Sequence, residues 1–227
     1  IDLGLGRAPG TDPATMRALR RDRVETEEDF PRDVAELQRL LGPVQPGARI
    51  VAVPGAGTNV PIWLLGSSLF SAQLAAHMGL PYAFASHFAP RMLLQALQLY
   101  RQLFRPSAQL ARPYAIIGVP VIAAPTDEEA DYLASSTYQR VLGILTGQRG
   151  RLQPPVENYL AGLQPQERAA IADFLAAGVV GGPATVRSGL HALAEATQAD
   201  EFMFVSDVYD PQLRLRSLSI AAQALHD

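Results

Sequence analysis

Two residue types are missing from this chain altogether. Its 227 residues include no cysteine, which excludes a thiol nucleophile, a disulfide and a sulfur-ligated metal and fits a cytoplasmic protein. They also include no lysine, so all 19 cationic side chains are arginine. The absence of lysine excludes Schiff-base chemistry by the chain's own amine, and it excludes a standard phosphate-binding P-loop.

Histidine, net charge and long apolar runs are scarce. There are only four histidines, and because none stands at metal-ligand spacing from another we predict no metal site. The net charge of −3 gives no electrostatic argument for nucleic-acid binding. No window approaches the roughly 20 apolar residues that span a membrane, and the first residues show no signal-peptide pattern. We therefore expect neither a nucleic-acid nor a membrane partner.

Short apolar segments alternate with helical patterns along the chain. Five segments predict strands, each followed by a helix, near residues 1–6, 61–66, 81–86, 114–123 and 201–206. Such alternation indicates an α/β protein with a parallel sheet. Two architectures remain open: a five-stranded open sheet, or the rear part of an eight-stranded barrel whose first three units are missing. Because Ile1 already lies inside a predicted strand, we expect the chain to be a piece of a longer protein.

The segment Pro61–Pro90 carries the clearest functional signal. Its first apolar run predicts a buried strand, and a Gly66-Ser67-Ser68 turn then leads into a helix that Gly79 is predicted to end. Ser67 or Ser68 is predicted to cap that helix through its hydroxyl. A helix N-terminus at the carboxyl edge of a parallel sheet is a general anion site, which is the function that this pattern indicates.

The sequence also predicts where two later helices begin. The spacing of Thr126 and Glu129 is that of a capping box that opens a helix running to about Leu145. The acidic residues at 127–129 are then favourable charges at a helix start and not a catalytic pair. Val179–Pro183 is predicted to be a turn, with Pro183 near the first position of the next helix.

Three segments together resemble one known family. They are IDLGLGRAPGTDP at residues 1–13, PIWLLGSSLFSAQLAAHMGLPYAFASHFAP at 61–90 and VVGGPATVRSGLHALAEATQADEFMFVSDVYD at 179–210. The chain resembles the bacterial luciferase-like flavin-dependent monooxygenases, in particular single-chain luciferase family oxidoreductases, over nearly its whole length. The resemblance implies a (β/α)8 TIM barrel, of which residues 1–227 would hold about the fourth to eighth strands. It also implies an insertion after the seventh strand, at about residues 147–183.

The same resemblance implies a function and partners. Members of the family use reduced FMN and molecular oxygen to oxidise a small organic substrate. A flavin reductase would supply the reduced flavin, and a cytoplasmic homodimer is expected. Two alternatives stay open, namely a deazaflavin-dependent hydride-transfer oxidoreductase of the same superfamily and a non-catalytic flavin-binding protein.

Residue by residue, the resemblance implies a phosphate site at the ends of two strands. Arg7 matches an arginine on the flavin phosphate, where a guanidinium suits bidentate binding. Ser67 matches the family's phosphate-binding serine, and backbone N–H groups from Gly66 to Leu69, including that of Ser68, would complete the cradle. Relatives often carry another hydroxyl one turn into the helix, and Ser71 is the residue that takes this role here.

A second group of predicted residues follows the later strands. The resemblance places His87 and Phe88 beside the flavin ring and the substrate, His87 as the catalytic residue and Phe88 as a substrate contact. The other three histidines, His77, His191 and His226, are predicted to face solvent. Asp207 and Asp210 end the last strand, and capping of the final helix is their favoured role.

Overall fold

The computed structural model describes residues 1–7, 29–148 and 150–226. Within them it contains six strands, namely β1 (Leu3–Gly6), β2 (Ile62–Gly66), β3 (Tyr82–Phe84), β4 (Ala115–Ala123), β5 (Val179–Gly181) and β6 (Glu201–Val205). The helices are α1 (Phe30–Leu41), α2 (Leu69–Met78), α3 (Leu93–Leu103), α4 (Asp127–Leu145), α5 (Pro165–Phe174), α6 (Pro183–Thr197) and α7 (Pro211–His226). The sequence also predicts a loop at residues 7–13 and a solvated, charged segment at residues 17–29, and both fall almost wholly outside the described residues.

The chain forms two compact units. The first comprises Ile1–Ala83 and Gln98–Tyr114, and the second comprises Phe84–Leu97 and Ala115–Asp227. No helix of the described residues combines the length and the apolar character that crossing a membrane requires.

The first unit is organised around two parallel strands. β1 and β2 pair in parallel, with Leu3 opposite Ile62 and Gly6 opposite Leu65. α2 follows β2 and buries its alanines, as expected of a helix that must lie close to a sheet. Gly79 ends α2 in the left-handed conformation at φ 63°, and a Cβ there would lie 2.4 Å from the carbonyl oxygen of Arg105. The predicted glycine stop is therefore confirmed.

The second unit is built around β4, which is buried along most of its length. β4 pairs in parallel with β6 through its first half, where Ile116 lies opposite Glu201, and with β5 through its end, where Val121 lies opposite Val179. Ile122 packs into a core with Leu133 and other buried side chains of α4. The buried strand and its parallel neighbours are what the apolar run at 114–123 predicted.

The predicted α/β class and parallel pairing are confirmed, with one local correction. The predicted turn at Val179–Pro183 is wrong in its first half, because Val179–Gly181 pair with β4 as a strand. The glycine and proline residues of this stretch led to the turn prediction. Val179 and Val180 are β-branched and favour a strand, and their backbone pairs with the end of β4. Pro183 begins α6 as predicted. The barrel, its strand numbering and the insertion at 147–183 stay predictions.

Candidate functional site

An arginine and a helix N-terminus lie at the same edge of the first unit. Because Gly6 is opposite Leu65 in the register, Arg7 and Gly66 lie together at the carboxyl ends of adjacent parallel strands. The chain runs from Gly66 through two serines directly into α2. Parallel α/β proteins bind ligands at this edge.

The Arg7 side chain lies on the first turn of α2. Its guanidinium carbon is 4.4 Å from the centroid of the Phe70 ring, which is a cation–π distance. Phe70 is the second residue of α2. A guanidinium beside a helix N-terminus brings together the two kinds of donor that bind phosphate in proteins, so the residues present fit a phosphate group.

The start of α2 has few protein groups to satisfy it. Ser68 is the N-cap residue, with extended backbone angles of φ −133° and ψ 163°, but its side chain makes no cap hydrogen bond. The first turn contains no acidic residue. The prediction that a serine side chain caps this helix is therefore wrong for Ser68, and Ser67 lies one position before the cap. The first-turn N–H groups lack partners within the helix, as at any helix start.

Gly66 and Ser71 pack tightly within this turn. The Ser71 hydroxyl donates to the carbonyl oxygen of Ser68 at 2.8 Å and lies 3.1 Å from the Tyr82 hydroxyl. A Cβ on Gly66 would lie 2.2 Å from Ser71 Oγ. Burial raises the pKa of Tyr82 to about 12, so its phenol stays protonated and able to donate. Ser71 thus helps to shape the turn, and its flavin contact stays a prediction.

In the second unit, His87 lies against β4. A Cβ on Gly118 would lie 2.3 Å from His87 Nδ1, so only glycine leaves room for the imidazole. His87 Nδ1 is buried and has no hydrogen-bond partner among the described residues. Burial lowers the pKa of His87, the positive charge of Arg140 lowers it further, and Asp207 raises it. The imidazole is therefore neutral at pH 7. The Phe88 ring lies 4.0 Å from it, centroid to centroid.

The structure contains an ion pair near His87 that the sequence did not predict. Arg140 Nη2 lies 2.5 Å from Asp207 Oδ2, and both side chains are partly buried. Arg140 sits in the middle of α4, where the sequence pattern marks an ordinary helix residue, and it is far along the chain from Asp207. The only signal was the position of Asp207 directly after the last strand.

The other predicted positions divide as follows. Asp210 Oδ1 accepts from the N–H groups of Gln212 and Leu213 at 2.8 and 2.9 Å, which confirms capping of the final helix. Asp207 instead pairs with Arg140. His77 and His191 are exposed as predicted, and the side chain of His226 lies outside the described residues.

Known proteins resemble this chain in sequence and in structure. A luciferase-like monooxygenase of Escherichia coli (strain K12) is 48% identical over 221 residues, which are 97% of this chain and 66% of that protein. The uncharacterized protein YvbT of Bacillus subtilis (strain 168) is 48% identical over 98% of this chain and 66% of that protein. The chain thus spans about two thirds of the length of these relatives. The crystal structure of apo-MsnO8 has a TM-score of 0.82 at 31% identity, covering 100% of this chain and 68% of that one.

More distant structures share the fold alone. One is a type II Baeyer–Villiger monooxygenase encoded on the CAM plasmid of Pseudomonas putida, in complex with FMN, with a TM-score of 0.59 and 18% identity over 98% of this chain and 70% of that one. Another is the coenzyme F420-dependent tetrahydromethanopterin reductase of Methanopyrus kandleri, with a TM-score of 0.59 and 14% identity over 98% and 72% of the two chains. The family model for luciferase-like monooxygenases matches residues 14–200. The chain belongs to the luciferase-like monooxygenase family.

Proposed function

We propose that this chain is part of a flavin-dependent monooxygenase that uses reduced FMN and molecular oxygen to oxidise a small organic substrate. One observation carries the proposal: the Arg7 guanidinium lies on the first turn of α2, a turn without an acidic residue or a side-chain cap. A guanidinium and free helix N–H groups are the donors that phosphate binding uses. Membership of the luciferase-like family supports a flavin as the ligand that carries this phosphate.

Each residue of the phosphate site has a proposed task. Arg7 would donate charge-assisted hydrogen bonds to the phosphate oxygens, and the Ser67 hydroxyl would donate another. The N–H groups of the turn, from Gly66 through Ser68, would complete the cradle. Ser71 would hold the turn in shape through its hydrogen bond to the Ser68 carbonyl. When bound, the reduced flavin supplies the electrons with which oxygen is activated.

His87 and Phe88 keep the roles that the family resemblance gives them. A neutral imidazole both donates and accepts a hydrogen bond, and the pKa of His87 is lowered by burial. We assign it the catalytic hydrogen bond to the reacting groups, and Phe88 a contact with the substrate. We further propose a flavin reductase as partner, a cytoplasmic homodimer, and residues 1–227 as the C-terminal part of one TIM-barrel domain with its insertion at 147–183.

Two other cofactor uses compete with this proposal. A phosphate cradle recognises the phosphate and not the ring, so a deazaflavin-dependent hydride transfer uses the same donors. The fold shared with a coenzyme F420-dependent reductase favours that candidate. A protein that binds flavin without catalysing a reaction would have the same phosphate cradle.

Substrate oxygenation separates these candidates. The protein is mixed with FMN, NADH, a flavin reductase and a panel of small organic substrates, and oxygenated product and hydrogen peroxide are compared with those of the reductase alone. Free reduced FMN also reacts with oxygen and releases hydrogen peroxide, so the proposal predicts oxygenated product and a matching fall in hydrogen peroxide per NADH. Bound FMN with no oxygenated product would contradict the monooxygenase and leave the non-catalytic flavoprotein. Anaerobic oxidation of a reduced deazaflavin would favour hydride transfer instead.

A further inference from the structure

A cavity of about 560 Å³ opens in the second unit beside α4. Its apolar lining includes Phe88, Ile144 and Phe174. Its polar lining consists mainly of two arginines, Arg140 and Arg151, and three glutamines. This volume lies within the range of pockets that hold small organic ligands.

The charge of this cavity has one sign. None of the lining residues that the structure describes is acidic, whereas Arg140 and Arg151 both line it. Arg140 already pairs with Asp207 through its Nη2 atom, so part of its charge is neutralised. Arg151 is exposed. A ligand with a negative group is therefore favoured over a neutral or positive one.

Arg151 is the cation that a ligand in this cavity can reach. Its side chain is exposed in the cavity wall, whereas Arg140 is paired with Asp207 and its Nε atom is enclosed by protein atoms. A carboxylate suits an accessible guanidinium, because carboxylates are acceptors only and match the guanidinium in geometry.

The aromatic lining defines the other end of the ligand. Phe88 is 60% exposed, although its ring lies against that of His87. An exposed phenylalanine in a cavity wall gains most from contact with an apolar body, preferably an aromatic one. Phe174 and Ile144 extend the same apolar surface.

We propose that this cavity binds an amphiphilic organic acid, an aryl or alkyl carboxylate. The carboxylate accepts from the Arg151 guanidinium, and the apolar body lies against Phe88 and Phe174. The acid is the organic substrate of the oxidation proposed above; only this substrate role rests on the proposed function, whereas the binding does not.

Isothermal titration calorimetry without flavin tests the binding. The probes are 4-phenylbutanoate and 4-phenylbutanamide, which have nearly the same shape and differ in charge, with decanoate as a second carboxylate. We expect 4-phenylbutanoate to bind about tenfold more tightly than the amide, the size of one charge-assisted hydrogen bond. Arg151→Gln is expected to remove most of this preference and leave the amide affinity unchanged. Arg112→Gln, an exposed arginine outside the lining, is the matched control and should change neither affinity.

The outcomes separate this inference from the proposed function. Equal affinities for acid and amide, a preference that survives Arg151→Gln, or no millimolar binding of either carboxylate would each overturn the acid-binding site. Carboxylate binding that Arg151→Gln abolishes supports the site even if the protein binds no flavin, in which case the proposed function fails alone. Conversely, oxygenation of neutral substrates only would support the proposed function and overturn the substrate class.

Discussion

Two helices that each follow a parallel strand begin in opposite ways. α4 begins with Thr126, whose Oγ1 accepts from the Glu129 N–H at 3.2 Å, and its first turn carries Asp127, Glu128 and Glu129. α2 begins with Ser68, has neither a side-chain cap nor an acidic first-turn residue, and carries the Arg7 guanidinium on that turn. The start of α4 is capped and charged by its own side chains, whereas the start of α2 has neither feature, as the proposed phosphate site requires.

The two helix starts differ in the stabilisation that their own side chains provide. A side-chain cap contributes about 1 kcal/mol and each first-turn acid about 0.3–1 kcal/mol to a helix. α2 lacks both contributions. Local departures from stabilising chemistry of this kind are typical of functional sites.

The largest expected effect is on stability and comes from a change in the turn at Gly66 that leads into α2. Gly66→Ala should lower the free energy of unfolding by roughly 2–3 kcal/mol, because its Cβ would lie 2.2 Å from Ser71 Oγ and 2.5 Å from Ser71 Cβ. Gly6→Ala, at the end of the paired strand, is the matched control because the nearest atom to its Cβ would be 3.8 Å away. Urea denaturation measures both variants. Equal stability of the two would show that the turn is not held by this packing.

The second effect separates binding from stability. Ser67→Asp should weaken FMN binding by roughly 2 kcal/mol, or about thirtyfold, because a carboxylate repels the phosphate from the α2 terminus. The same change should leave stability equal or slightly higher, since an acid near a helix N-terminus is favourable. Ser67→Asn, similar in shape but neutral, is the control and should retain most of the affinity. Fluorescence titration with FMN that finds no difference between the two variants would refute the phosphate assignment.

The smallest effect compares the two helix starts directly. Thr126→Ala should lower the free energy of unfolding by about 1 kcal/mol through loss of its cap hydrogen bond. Ser68→Ala should cost less than about 0.5 kcal/mol, because the Ser68 side chain makes no such bond. Neither change removes a proposed side-chain contact to FMN. A cost for Ser68→Ala as large as that for Thr126→Ala would mean that α2 is capped in solution.

Much of this comparison was predictable from sequence, because it depends on local patterns. The apolar run before Gly66, the glycine at position 79 and the spacing of Thr126 and Glu129 each predicted an element that the structure contains. The missing cap hydrogen bond at Ser68 was not predictable, because the sequence shows a serine at the N-cap position but not whether its hydroxyl makes a hydrogen bond.

Contacts between distant segments account for what the sequence did not reveal. The pairing of Arg140 with Asp207 and the contact of His87 with Gly118 depend on how strands and helices of the second unit pack. The strand β5 was hidden for a similar reason, because its partner β4 lies earlier in the chain and only pairing distinguishes it from a turn.

The affinity ratio of FMN to riboflavin tests the central claim most directly, because the two ligands differ only in the phosphate. The account predicts that the protein binds FMN at least about tenfold more tightly than riboflavin, that Arg7→Gln removes most of this preference, and that added salt reduces it. Equal affinities for the two flavins, or a preference unchanged by Arg7→Gln, would contradict a phosphate site at the start of α2.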